Sequence, residues 1–119
     1  MRVAVPTTNG IVDGPGEAMK VRIYEVSGNE VKLVEEYDNP ALKAMAARGV
    51  HMLRSAIEKG ATSFLLVEIG PPGVRYLSGK AKIYIVPQGT SVDSALNMFR
   101  SGKLIETTAP THEEHHHVI

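Results

Sequence analysis

Four of the five histidines in this chain fall in its closing stretch, Thr111-His-Glu-Glu-His-His-His-Val-Ile119. Imidazoles at His112, His115, His116 and His117, beside Glu113 and Glu114, are side chains competent to chelate zinc, nickel, copper or iron. The other reading of the same stretch is a polar terminus whose metal affinity is incidental. Cysteine is absent from the sequence, which excludes disulfides, thiolate nucleophiles and Cys-held zinc or iron–sulfur sites. A metal here must be held by His, carboxylate or backbone oxygen, or arrive with ligands of its own.

A second candidate site lies where two apolar runs break off. Met1-Arg-Val-Ala-Val-Pro-Thr-Thr-Asn-Gly10 and Phe64-Leu-Leu-Val-Glu-Ile-Gly-Pro-Pro-Gly73 read as strands buried on both faces. If the two lie side by side, the loops after them meet at one rim, the place where open α/β sheets bind ligands. Thr7, Thr8 and Asn9 then face Glu68, Ile69 and Gly70. Hydroxyl, amide and backbone groups of this kind suit an anion, which Glu68 opposes unless turned away or protonated. Thr and Asn at such places also serve simply to close turns. Gly73 and Val74 can offer amides at a helix start, worth roughly 0.3–1 kcal/mol for an exposed anion. The prolines in Gly14-Pro15-Gly16 and Gly70-Pro-Pro-Gly73 lack N–H groups, so neither stretch cradles phosphate as a P-loop does.

Enzyme signatures are missing: the chain has no GxGxxG, GxxxxGK[ST] or HExxH. The first strand carries no acid, and Asp13, Asp38, Glu68 and Asp93 show no reason to converge on two metal ions as a nuclease requires. His51, at 100° per residue, projects opposite the apolar face of its helix. It is therefore either solvent-exposed or part of a contact surface with another chain.

The elements that would position these groups follow from pattern. Strands are expected over 2–6, 18–27 and 30–37, the last two joined at Ser27-Gly28-Asn29-Glu30. Residues 7–17 read as a loop too long for a tight hairpin. Asn39-Pro40 opens a helix that runs to Gly60, with Leu42, Met45, Ala46, Gly49, Leu53, Ala56 and Ile57 on one face. A strand at Thr62–Val67, a short helix at Pro72–Leu77, a strand at Lys82–Val86 and a helix capped by Thr90 with Asp93 complete the domain. Right-handed crossovers then give a five-stranded mixed sheet in the order 3-2-1-4-5 with three helices, the ribonuclease H-like arrangement. The expected domain spans 1–106, and 107–119 is expected as a mobile His-rich tail.

Thirteen basic and thirteen acidic residues cancel, so no overall field favours nucleic acid or an anionic membrane. No apolar run approaches the roughly 18 residues of a membrane span, and no signal peptide is evident, so a cytoplasmic protein is expected.

With these pieces in order, the chain up to about residue 106 resembles the nitrogenase iron–molybdenum cofactor biosynthesis family. The resemblance lies in Met1-Arg-Val-Ala-Val-Pro-Thr, Gly16-Glu-Ala18 leading to Ile23-Tyr-Glu-Val26, Ile69-Gly-Pro-Pro-Gly-Val-Arg-Tyr-Leu77, and Gly89-Thr-Ser-Val-Asp-Ser-Ala-Leu96 with Gly102-Lys-Leu104. It implies the ribonuclease H-like fold and non-catalytic binding or carriage of an iron–sulfur or iron–molybdenum-type cluster, with donor and acceptor proteins as partners. Thr7, Thr8, Asn9, Gly16, Ile69, Gly70 and Gly73 are the cofactor-facing positions expected on this reading, with a divalent metal at the His-rich tail. Many members look like His-Phe-Gly-Arg-Ala where this chain has Gly14-Pro15-Gly16-Glu17-Ala18. The alternative is an interaction or regulatory module that forms a homodimer through the His51 helix face and the outer strand.

Overall fold

The computed structural model describes residues 1–113 of the 119. Strand β1 (Arg2–Thr8) is the middle of one mixed sheet, because its Val3, Ala4 and Val5 are inaccessible to solvent on both faces. It pairs antiparallel with β3 (Lys20–Val26), which pairs antiparallel with β4 (Val31–Asp38). On its other side β1 runs parallel to β5 (Ala61–Leu66), and β5 runs parallel to β6 (Lys82–Ile85). The side-by-side placement of the two apolar runs is therefore what the sheet shows.

Two short strands raise the count from the expected five to seven. β2 (Ile11–Val12) folds back on the end of β1, and β7 (Glu106–Thr107) pairs with β6 at the edge, giving the order β4-β3-β1-β5-β6-β7. Strands of two residues carry no periodicity, which is why pattern alone misses them. The segment 7–17 is thus not an open loop. Asn9 and Gly10 both take positive φ, 52° and 77°, and form the two-residue turn that a right-twisted hairpin requires.

The helices cover both faces. α1 (Arg48–Glu58) and α2 (Pro71–Leu77) pack over Ala4, Ile23, Phe64 and Leu66 through Met52, Leu53, Ala56 and Leu77. α3 (Val92–Arg100) covers Val3, Val5, Leu65 and Val86 through Val92, Ala95 and Leu96. Its cap is Ser91, whose hydroxyl accepts from the Ser94 amide at 3.1 Å. Thr90, the expected cap, donates instead to the Pro87 carbonyl at 2.6 Å.

The helix expected from Pro40 to Gly60 is broken in two. A single 3-10 turn covers Pro40–Lys43, and α1 begins only at Arg48, after Ala47 in the left-handed region at φ 53°. Met45, placed by periodicity on the core face, is fully exposed, and Leu42 is also exposed. The physical cause sits in the preceding turn. Asn39 is 2% exposed; its Oδ1 accepts from the Ala41 amide at 3.0 Å while its Nδ2 donates to the carbonyls of Pro15 and Ala18, both at 2.9 Å. Arg48 Nε then donates to the Ala41 carbonyl at 3.1 Å. These bonds hold residues 39–41 as a tight turn tied to loop 13–18, and helical propensity downstream cannot override them.

Candidate functional site

Because β1, β5 and β6 run parallel, their carboxyl ends open on the same rim of the sheet. An open groove of about 680 Å³ lies there, over Val67 and Glu68 after β5, Ile85–Gln88 at the end of β6, and Thr111 and His112. Beside it is a smaller, largely apolar cavity of about 210 Å³. Pro15, Gly49, Val50, Leu53, Ile69, Pro72 and Gly73 are among its walls, with Arg48 at the start of α1. The backbone after β5 lies between the two, since Glu68 faces the first and Ile69 the second.

Two glycines lie where these loops come close. A Cβ at Gly73 would come within 2.8 Å of Ile69 Cγ1 and 3.2 Å of Leu53 Cδ1, so α2 can start this close to α1 only with no side chain there. A Cβ at Gly14 would come within 2.5 Å of Glu17 Oε2 and 3.0 Å of Glu68 Cγ. The side chains of Glu17 and Glu68 thus meet over the Gly14 α-carbon.

That meeting gives the crevice its electrostatic character. The Glu17 carboxyl holds its proton more tightly than an ordinary carboxylate. Partial burial contributes most, then the charges of Glu68 and Asp13, with Arg48 and His112 acting in the opposite direction. Asp13 is itself engaged, accepting from the Thr8 hydroxyl at 2.8 Å and the Gly14 amide at 2.7 Å.

The C-terminal segment reaches this rim from β7. The Thr111 amide donates to the Ile69 carbonyl at 2.8 Å, and the Thr111 hydroxyl accepts from the Ile69 amide at 2.8 Å. The hydroxyl also lies 3.0 Å from the Ile69 carbonyl. His112 is thereby laid against Gly70, where a Cβ would sit 3.0 Å from its Nε2.

The structure brings Gly16, Ile69, Gly70, Gly73 and His112 to this one region; Gly16 abuts the start of α1, with its Cβ position 3.4 Å from the Gly49 nitrogen. Thr7, Thr8 and Asn9 lie instead in the β1–β2 hairpin. Thr7 is buried and donates to the Ile11 carbonyl at 2.8 Å, Thr8 also accepts from the Met19 amide at 3.1 Å, and Asn9 is the exposed tip. His115, His116 and His117 lie outside the described residues. His51 is exposed on α1. Pattern reading gave no weight to Thr111, and nothing in a lone Thr after Pro110 could have singled it out.

As a donor set the crevice offers one imidazole, several carboxylates and backbone amides. Among the described residues no group of three or more His, Asp or Glu side chains is arranged to hold a metal ion. A bare ion therefore finds no complete chelate in residues 1–113. A cargo that brings its own inorganic ligands requires only one or two protein donors, and His112 is the described imidazole at this rim.

A doubly covered α/β sheet with a crevice at its carboxyl rim is a small α/β domain whose rim lies where such sheets bind ligands. The family model described as dinitrogenase iron-molybdenum cofactor matches residues 1–102, and the chain belongs to that family, which is involved in binding and building that cofactor. Among solved structures it is similar to the apo form of the orange protein of Desulfovibrio gigas, at TM-score 0.81 and 22% identity, covering 93% of this chain and 96% of that one. A Thermotoga protein provisionally assigned as NifB matches at TM-score 0.72 and 25% identity, over 93% and 97% of the two chains. A Methanocaldococcus jannaschii protein provisionally assigned as a dinitrogenase matches at TM-score 0.72 and 20% identity, over 92% and 97%. No curated protein matches the chain in sequence. Among the described residues no helix is long and apolar enough to cross a membrane.

Proposed function

We propose that this protein binds and carries, without turnover, a metal or iron–sulfur-type cluster of the iron–molybdenum cofactor kind, handing it between donor and acceptor proteins of metallocluster assembly. The cargo sits in the carboxyl-rim crevice, contacted by the backbone at Ile69–Gly70 and by His112. Histidines 115–117, outside the described residues, are proposed as further ligands, and the hairpin residues Thr7, Thr8 and Asn9 brace the crevice. Cytoplasmic residence accords with this role, and the sheet order with helices on both faces supports a ribonuclease H-like classification.

The observation that carries this reading is the clasp of Thr111 on Ile69, which lays the one described imidazole of the tail against the rim where α/β sheets bind ligands. The test is anaerobic reconstitution of the purified chain with ferrous iron, sulfide and tetrathiomolybdate, followed by gel filtration. The expected result is iron, molybdenum and visible absorption eluting with the protein, and much less of each with a His112→Ala variant. A colourless protein free of metal after this treatment overturns the reading. If that colourless protein elutes as a dimer, it favours an interaction module instead, for which the edge strand β4, with Leu33 and Val34 exposed, is the pairing surface.

A further inference from the structure

We infer that Thr111 is a positioning residue for the cargo site: it makes residues 111–112 a fixed wall of the crevice and sets the place of the His112 imidazole. This rests on the metal-site reading above and adds to it the group that governs its key ligand. Ile69 is 1% exposed and lies beyond the last paired residue of β5, so its amide has no strand partner. A buried N–H requires an acceptor. The Thr111 hydroxyl supplies it at 2.8 Å, while the Thr111 amide returns a bond of 2.8 Å to the carbonyl of the same residue. One residue thus satisfies both polar groups of Ile69, as a rung of sheet would, with a side-chain oxygen in the place of a carbonyl.

Two consequences bear on His112. Its Nδ1 lies 3.4 Å from the Thr111 hydroxyl, so the residue that anchors the segment also touches the ring. Its other ring nitrogen lies over Gly70, where a Cβ would intrude to 3.0 Å. The imidazole is held between a hydroxyl and a bare stretch of backbone, the arrangement in which outer partners orient a metal ligand. Thr111 and His112 both fall beyond the residues matched by the family model, 1–102.

The experiment uses the full chain with Thr111→Val, which keeps the shape and removes donor and acceptor, and Thr111→Ser, which keeps the hydroxyl. Amide hydrogen exchange at Ile69 reads the clasp. Retention of iron and molybdenum against a competing chelator, after the reconstitution above, reads the ligand. Thr111→Val is expected to speed exchange at Ile69 and to weaken retention by roughly 10–100-fold, the usual effect of losing an outer partner of a ligand. Thr111→Ser should restore both. Faster exchange with unchanged retention overturns the positioning role, and unchanged exchange overturns the clasp. A wild-type chain that takes up no metal overturns the metal-site reading and the positioning role with it, while the exchange measurement still decides separately whether the clasp exists.

Discussion

Replacing Asn39 by Ala should weaken the protein by about 3 kcal/mol and loosen one wall of the crevice. Asn39 ties the 3-10 turn at Pro40 to loop 13–18 through bonds of 2.9 Å to each of Pro15 and Ala18, and closes the turn itself with a 3.0 Å bond from the Ala41 amide. All of its polar capacity except one carbonyl lone pair is used, at 2% exposure. A typical internal hydrogen bond contributes about 1 kcal/mol net, so three give about 3 kcal/mol. For a domain of this size that corresponds to a fall in melting temperature of roughly 12 °C, at about 4 °C per kcal/mol. Asn39→Asp sharpens the test, because it preserves the acceptor for Ala41 but sets carboxylate oxygen against two carbonyls. It should be no more stable than Asn39→Ala at neutral pH and should recover as the carboxylate is protonated. Urea unfolding gives the energies, and amide exchange across residues 14–18 reports the wall. A loss below about 1 kcal/mol in Asn39→Ala, or unchanged exchange in that loop, would refute the reasoning.

Two further perturbations follow from the same geometry. Folding raises the affinity of the Glu17 carboxyl for its proton, so the folded chain binds more protons than the unfolded one above the ordinary value of 4.5; the stability this group contributes is present below that value and is lost as pH rises through the folded one. Glu17→Gln cannot ionise, so its melting temperature relative to wild type should be higher at pH 7 than at pH 4, and an equal difference at both would show that Glu17 is not electrostatically strained. Gly73→Ala drives a methyl into Ile69 and Leu53, 1% and 0% exposed, and should cost about 1–3 kcal/mol in chemical unfolding; a neutral result would mean that α2 shifts freely against α1.

Long buried strands and amphipathic helices were legible because burial imposes a period on many residues at once. Val3–Val5 and Phe64–Leu66 could only be central, and Leu53 and Ala56 could only face inward, although the equally buried Met52 was not singled out. The features that escaped depend on one or two residues and distant partners. Asn39 reads locally as a helix cap, and it does accept from Ala41. Its other two bonds reach back more than twenty residues to loop 15–18, and those bonds hold the turn that helical spacing would extend. The Asn9-Gly10 turn is a strong hairpin signal, but β2 contributes only Ile11 and Val12 to confirm it. Thr111 is the extreme case, since its value lies in the bonds it makes with the amide and carbonyl of the distant Ile69.

The departure at Gly14-Pro15-Gly16-Glu17 is best understood as a linked set rather than as separate losses. A side chain at position 14 would collide with Glu17 Oε2 at 2.5 Å and with Glu68 at 3.0 Å. With glycine at 14, two carboxyls approach over a bare α-carbon, and that of Glu17 holds its proton more tightly than an ordinary carboxyl. An anionic cargo entering beside them would disfavour ionisation of Glu17 further, and a cationic cargo would do the reverse. On the proposed reading, the imidazole that Thr111 sets beside Gly70 supplies a ligand at a position that the loop before β3 does not have to fill.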